Sequence, residues 1–96
     1  MATLLEVRDV SGRVIRLSGE RWSHMLHHSD MANKEEAVKE TLISPLKITA
    51  YSIDKDVRYY YRYYKEHKSK AKYLRVIVKY INGSGFVITA HFVEKI

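Results

Sequence analysis

The chain is predicted to fold as α+β: an N-terminal β-hairpin, then two helices packed on one face of a four-stranded antiparallel sheet. Three observations predict it. The stretch from Lys72 to Lys95 is rich in Val, Ile, Tyr and Phe and is divided by Asn82-Gly83-Ser84-Gly85, the chemistry of a tight turn. Two segments between Ser18 and Ser44 carry apolar residues at helical spacing. The strands after Pro45 are joined by short connections, which favour an antiparallel meander over parallel crossovers.

Each element has its own signal. Thr3 to Val10 and Arg13 to Leu17 form a hairpin around Ser11-Gly12, with Leu5, Val7, Val14 and Ile15 as its apolar side chains. Ser18 is an N-cap, and Glu20 places an acid in the first turn of a helix running to about His28. Trp22, Met25 and Leu26 make its buried stripe, while Arg21, His24 and His28 form a line on an adjacent face. Asn33 with Glu36 reads as a capping box for the second helix, whose core residues are Ala37, Val38, Thr41 and Leu42 and which ends before Pro45. Leu46 to Ile53 and Val57 to Tyr64 are strands, and Lys65 to Lys70 is a polar loop.

The 96 residues are expected to make one domain, 1–96, with a modest core. The absence of cysteine removes disulfides, thiolate metal sites and a cysteine nucleophile, and fits a reducing cytoplasm. No apolar run approaches the roughly 20 residues of a membrane span. The net charge of +6 points to a polyanionic partner, and eight tyrosines among the cations suit stacked bases.

Alternation along the last hairpin puts Leu74, Val76, Val78 and Tyr80 on the core face with Phe86, Ile88, Ala90 and Phe92. The opposite face is then expected to carry Lys47, Thr49 and Tyr51; Arg58, Tyr60 and Arg62; Arg75 and Lys79; Val87, Thr89 and His91. Its strand interiors hold no carboxylate, which disfavours a two-metal nuclease. Metal-free RNA cleavage needs a base for the ribose 2′-hydroxyl, an acid for the leaving 5′-oxygen and cations for the phosphorane. His24 or His91 can serve as base or acid, and Arg75 and Lys79 as the cations. Tyr60 and Thr89 can orient the phosphate, and His28 lies in line with His24. Arg21, Lys47, Arg58, Arg62 and Lys72 are the expected RNA contacts. His24 and His28 also have the spacing of some zinc sites but lack a third ligand, so no metal or cofactor is expected. The same residues suit RNA binding without cleavage, or a protein-interaction module, and His27 and His67 read as solvent-facing.

Several stretches together resemble the phage-associated nucleases grouped with barnase, colicin-type RNases and RelE-type toxins: ERWSHMLHHSD, TLISPLKI, SIDKDVRYYY, KYLRVIVKY and GFVITAH. The resemblance implies a RelE/barnase-like fold and a metal-independent endoribonuclease, as a toxin or phage-derived module. It implies RNA as substrate and an antitoxin or immunity protein as partner. Its matching polar positions are Arg21, His24, His28, Ser52, Tyr59, Tyr60, Lys72, Lys79 and Thr89. Two places depart from the pattern: HHSDM replaces a His-Pro-Glu-like run, and His91 replaces a Tyr.

Overall fold

The structure, a computed structural model, describes residues 3–96. Strands β1 (Thr3–Arg8) and β2 (Val14–Ser18) lead into helix α1 (Gly19–Met25). A short 3-10 turn, Ser29–Met31, precedes helix α2 (Glu35–Ile43). Strands β3 (Lys47–Ala50), β4 (Val57–Tyr63), β5 (Tyr73–Ile81) and β6 (Ser84–Val93) follow. The fold is α+β, as expected, but the sheet differs from the expected one. It is six-stranded and mixed, in the order β1-β2-β6-β5-β4-β3, because the N-terminal hairpin joins it instead of standing apart.

The joint is a parallel pairing of β2 with β6, Ile15 opposite Gly85 and Arg16 opposite Phe86. Burial is its physical cause. Ile15 and Leu17 are fully buried and need a neighbouring strand, which the amphipathic helices alone do not supply. Gly85 makes the approach possible: a Cβ there would lie 2.8 Å from Ile15 Cδ1.

Both helices cover one sheet face. Trp22 and Met25 of α1 and Val38 and Leu42 of α2 pack on Leu74, Val76, Val78, Val87 and Ala90. Ser18 caps α1, its hydroxyl accepting from Arg21 N–H at 3.1 Å. The helix stops at Met25, so His28 lies beyond it, and Leu26 stays exposed where Met31 is buried instead. Asn33 does not cap α2. It sits in the left-handed region at φ 61°, and Lys34 occupies the cap position without a side-chain bond. The last turn is tighter than four residues: Asn82 and Gly83 alone connect β5 to β6, with φ of 53° and 82°.

A β-bulge corrects the faces of β6. Ile77 pairs with Thr89 and Val78 with Val87, so Ile88 is the extra residue. Val87 therefore enters the core and Phe86 turns out to the open face, the reverse of strict alternation.

The VRYYYRYY segment also sits the other way round from expectation. Tyr60 pairs with Val76, Arg58 with Val78 and Arg62 with Leu74, so all three lie on the helix side, and Tyr59, Tyr61 and Tyr63 lie on the open side, Tyr61 buried there and Tyr63 exposed. The reason is an acceptor under the sheet. Asp9, from the β1–β2 turn, accepts from Tyr60 Oη at 2.8 Å and Tyr80 Oη at 2.6 Å. Its other oxygen accepts from Ser11 Oγ, Ser11 N–H and Arg13 N–H. Burial pushes the Asp9 pKa up, but the Ser11, Tyr80, Tyr60 and Arg13 donors together bring it below its ordinary 3.8. Burial and the carboxylate push Tyr60 up to about 12 and Tyr80 further in the same direction.

A carboxylate with a lowered folded pKa contributes stability above its unfolded pKa and loses it as pH falls through the folded value. Asp9→Ala is therefore expected to cost about 3 kcal/mol in urea denaturation at pH 7, because two buried hydroxyls lose their acceptor. It is also expected to flatten the loss of stability below about pH 4. A cost under about 1 kcal/mol at pH 7 would contradict this account of the network.

Candidate active site

The open face is built from the outward positions of five strands. β3 contributes Lys47 and Thr49, opposite Tyr61 and Tyr59 of β4. β5 contributes Tyr73, Arg75, Ile77 and Lys79, and β6 contributes Phe86, Thr89 and His91. β2 adds Arg16 beside Phe86.

At its centre Arg75 and His91 stand opposite each other on adjacent strands. The guanidinium donates to His91 Nε2 from Nε at 3.1 Å and from a terminal nitrogen at 2.7 Å. An imidazole nitrogen that accepts from a permanent cation carries no proton, so this His91 is neutral with its proton on Nδ1. Burial lowers the His91 pKa most, then the Arg75 charge and the nearby His28 imidazole, against a smaller upward pull from Asp30. The guanidinium also lies over the Tyr59 ring, 5.2 Å from its centroid. Tyr51 stacks on the other side of this aromatic row, 5.7 Å from Tyr59 and 14° from coplanar. Tyr63 and Tyr73 meet across the strands at 5.1 Å.

His28 reaches this centre because the sheet is incomplete there. β2 pairs with β6 only at Gly85 and Phe86, so the second half of β6 has no strand on that side. The chain leaving α1 passes there instead, which puts His28 within electrostatic reach of His91. His24 points elsewhere, against His27, with ring centroids 6.0 Å apart.

The expected site residues therefore divide. Arg75, His91, Thr89, Lys79 and Lys47 share the open face, and His28 borders it. Tyr60 does not belong to it: the residue is 2% exposed, and its hydroxyl is bound to Asp9 and Tyr80 inside the core. Arg58 and Arg62 are also withdrawn. Arg58 donates to the carbonyls of Lys55 and Val57, and Arg62 to Ser44 O at 2.6 Å beside Glu40 at 3.4 Å. Lys72 bonds the His67 carbonyl and so braces the β4–β5 loop. Arg21 lies on the exposed side of α1. The face is also less purely cationic than the strand sequences imply, since Asp54 from the β3–β4 turn pairs with Lys79. That pairing holds the Asp54 carboxyl below its ordinary range and the Lys79 amine above its own.

Two features escaped sequence reasoning. The Tyr59, Tyr61 and Tyr63 row needed the register that Asp9 imposes. His67 is not solvent-facing: it stacks on Phe92 at 3.6 Å and 7°, with Nδ1 at 2.8 Å from Ala71 O. Among the described residues no three His, Cys, Asp or Glu side chains cluster as metal ligands. No helix among them is long and apolar enough to cross a membrane. The chain matches no family model, no curated protein and no solved structure.

Because desolvation and Arg75 both depress His91, removing the guanidinium removes part of the shift. In a pH titration followed by the imidazole Cε1–H resonance, His91 is expected to titrate below the ordinary 6.5. Arg75→Ala is expected to raise that midpoint without restoring it fully, because burial remains. An unchanged midpoint in the variant would contradict the pairing.

Proposed function

We propose that the open face is the site of a metal-independent endoribonuclease. The observation that carries the reading is the Arg75–His91 pair, a neutral imidazole and a guanidinium side by side and half-buried on the basic open face of the sheet. A neutral imidazole at pH 7 is a competent base, and a guanidinium is the group best shaped to hold a phosphate through two parallel hydrogen bonds.

The pair suggests a switch on substrate binding. A phosphate oxygen is a charged acceptor and outcompetes a neutral imidazole nitrogen for the guanidinium. Arg75 turns to the scissile phosphate, and the Nε2 lone pair of His91 is released. His91 then takes the proton from the ribose 2′-hydroxyl as its oxygen attacks the adjacent phosphorus. His28, at the border of the face, is the group placed to deliver a proton to the departing 5′-oxygen. The products are a 2′,3′-cyclic phosphate and a free 5′-hydroxyl. Arg75 offsets the charge of the pentacoordinate phosphate, with the Tyr59 ring beside it. Lys47 and Lys79 lie on the same face to follow the backbone, and the Thr89 hydroxyl is two residues from His91. DNA lacks the attacking hydroxyl and is no substrate by this route. The cysteine-free chain suits work in the cytoplasm.

A second reading, RNA binding without cleavage, is favoured by the outward tyrosine row, which offers stacking platforms whatever His91 does. One experiment separates the two. The purified protein is incubated with single-stranded RNA in excess EDTA. Cleavage with cyclic-phosphate ends is expected, lost when the nucleotides are 2′-deoxy. His91→Ala is expected to reduce the rate about 10²–10⁴-fold and Arg75→Ala about 10²-fold or more. Salt-sensitive binding with no product would establish the second reading and contradict the first.

A further inference from the structure

Phe86 is an exposed aromatic ring in a place the cleavage chemistry does not use. The bulge at Ile88 turns it outward, and it is 37% exposed. Its neighbours in register are Arg16 on β2 and Lys79 on β5, so a cation flanks it on both sides. It forms the wall of a cavity of about 280 Å³ at the corner where β2 gives way to α1, with Arg16 and Arg21 beside it and Glu20 as the acid. Arg16 engages Glu6 through Nε at 2.9 Å. Arg21 forms no ion pair among the described residues.

An apolar ring set among cations in a shallow basic recess fits a flat, uncharged ring that carries a phosphate. The volume is just under the roughly 300 Å³ at which ligand sites start, so it suits a single base rather than a larger group. Duplex RNA keeps its bases stacked inside, whereas a single strand can splay one out onto an aromatic face. Phe86 and His91 stand opposite Lys79 and Arg75, four residues apart on β5, so they are separated by roughly 13 Å at about 3.3 Å per residue. The cavity therefore lies beyond the reacting phosphate and engages a nucleotide further along the same strand.

We propose that this cavity is a nucleotide subsite: one unpaired base of a single-stranded RNA stacks on Phe86, and an adjoining phosphate pairs with Arg21. The proposal rests on the open face being an RNA site and adds which RNA it takes, a single strand extending past the cleaved bond on the α1 side.

The test uses a fluorescein-labelled 2′-O-methyl hexanucleotide, which has no free 2′-hydroxyl and cannot be cleaved by this chemistry. Binding is read by anisotropy for the wild type, Phe86→Ala, Phe86→Trp and Arg21→Ala, with cleavage of the matching unmodified RNA run in parallel. Phe86→Ala is expected to weaken binding about tenfold or more, and Phe86→Trp to keep it. Addition of unlabelled hexanucleotide should quench the new tryptophan emission, measured against the wild type, whose single Trp22 is buried. Arg21→Ala should weaken binding and reduce its salt dependence by about one phosphate. Undiminished binding by Phe86→Ala, or unquenched emission from bound Phe86→Trp, would overturn the subsite even if cleavage persists. Phe86-dependent binding without cleavage by the wild type would support the subsite and overturn the nuclease reading alone. A wild type that neither binds nor cleaves would overturn both.

Discussion

The carboxylate of Asp9 is the constraint on which the rest of the structure depends. It is buried, it has a depressed pKa, and five donors converge on it from three parts of the chain. An ionised carboxylate inside a core is tolerated only when its oxygens are fully partnered, so the sheet must deliver hydroxyls to that point. Tyr60 and Tyr80 are those hydroxyls. Their capture ties the N-terminal turn to β4 and β5, from 51 and 71 residues away in sequence. Once Tyr60 is held inward, the period of two along β4 places Tyr59, Tyr61 and Tyr63 on the open side of the sheet, where Tyr61 is buried. The character of the open face is thus set from the core side.

The electrostatics of the open face follow from which cations have partners. Arg58, Arg62 and Lys72 are held by carbonyls or Glu40, and Lys79 by Asp54. Arg75 is different, because its partner is a neutral imidazole, the acceptor most easily replaced by an anion. A phosphate arriving on this face meets Arg75, prepared to move, and Lys47, which forms no ion pair among the described residues, while Lys79 is already engaged. The parallel seam between β2 and β6 has a related consequence. By ending at Phe86 it leaves the far half of β6 open to the chain that carries His28, and it frames Phe86 at the corner beside α1.

The legible parts of the fold are those governed by short-range rules. The Ser18 cap, the Trp22 and Met25 stripe, the Asn82-Gly83 turn and the inward set Leu74, Val76 and Val78 each follow from chemistry within a few residues. Parts that depend on distant partners run against the local pattern. The VRYYYRYY segment has tyrosine on both faces, so its pattern contains no preference, and Asp9 decides it from across the molecule. Val87 and Phe86 exchanged faces because one extra residue, Ile88, interrupts an otherwise regular alternation. The parallel β2–β6 joint escaped because a crossover through the helices and three strands leaves no local mark. Of the candidate site, Arg75, Thr89 and His91 were legible, lying on a well-patterned hairpin, whereas Tyr60, Arg58 and Arg62 shared the error of their strand. The His67–Phe92 stack is likewise a contact between distant residues.

The most direct measurement is a map of tyrosine side chains on RNA binding. In protein labelled at the tyrosine rings, a non-cleavable single-stranded RNA should shift the resonances of Tyr59, Tyr63 and Tyr73, together with the His91 imidazole. Those of Tyr60 and Tyr80, sealed against Asp9, should stay in place. Shifts confined to the helix side, or strongest at Tyr60 and Tyr80, would contradict the assignment of the open face as the RNA site.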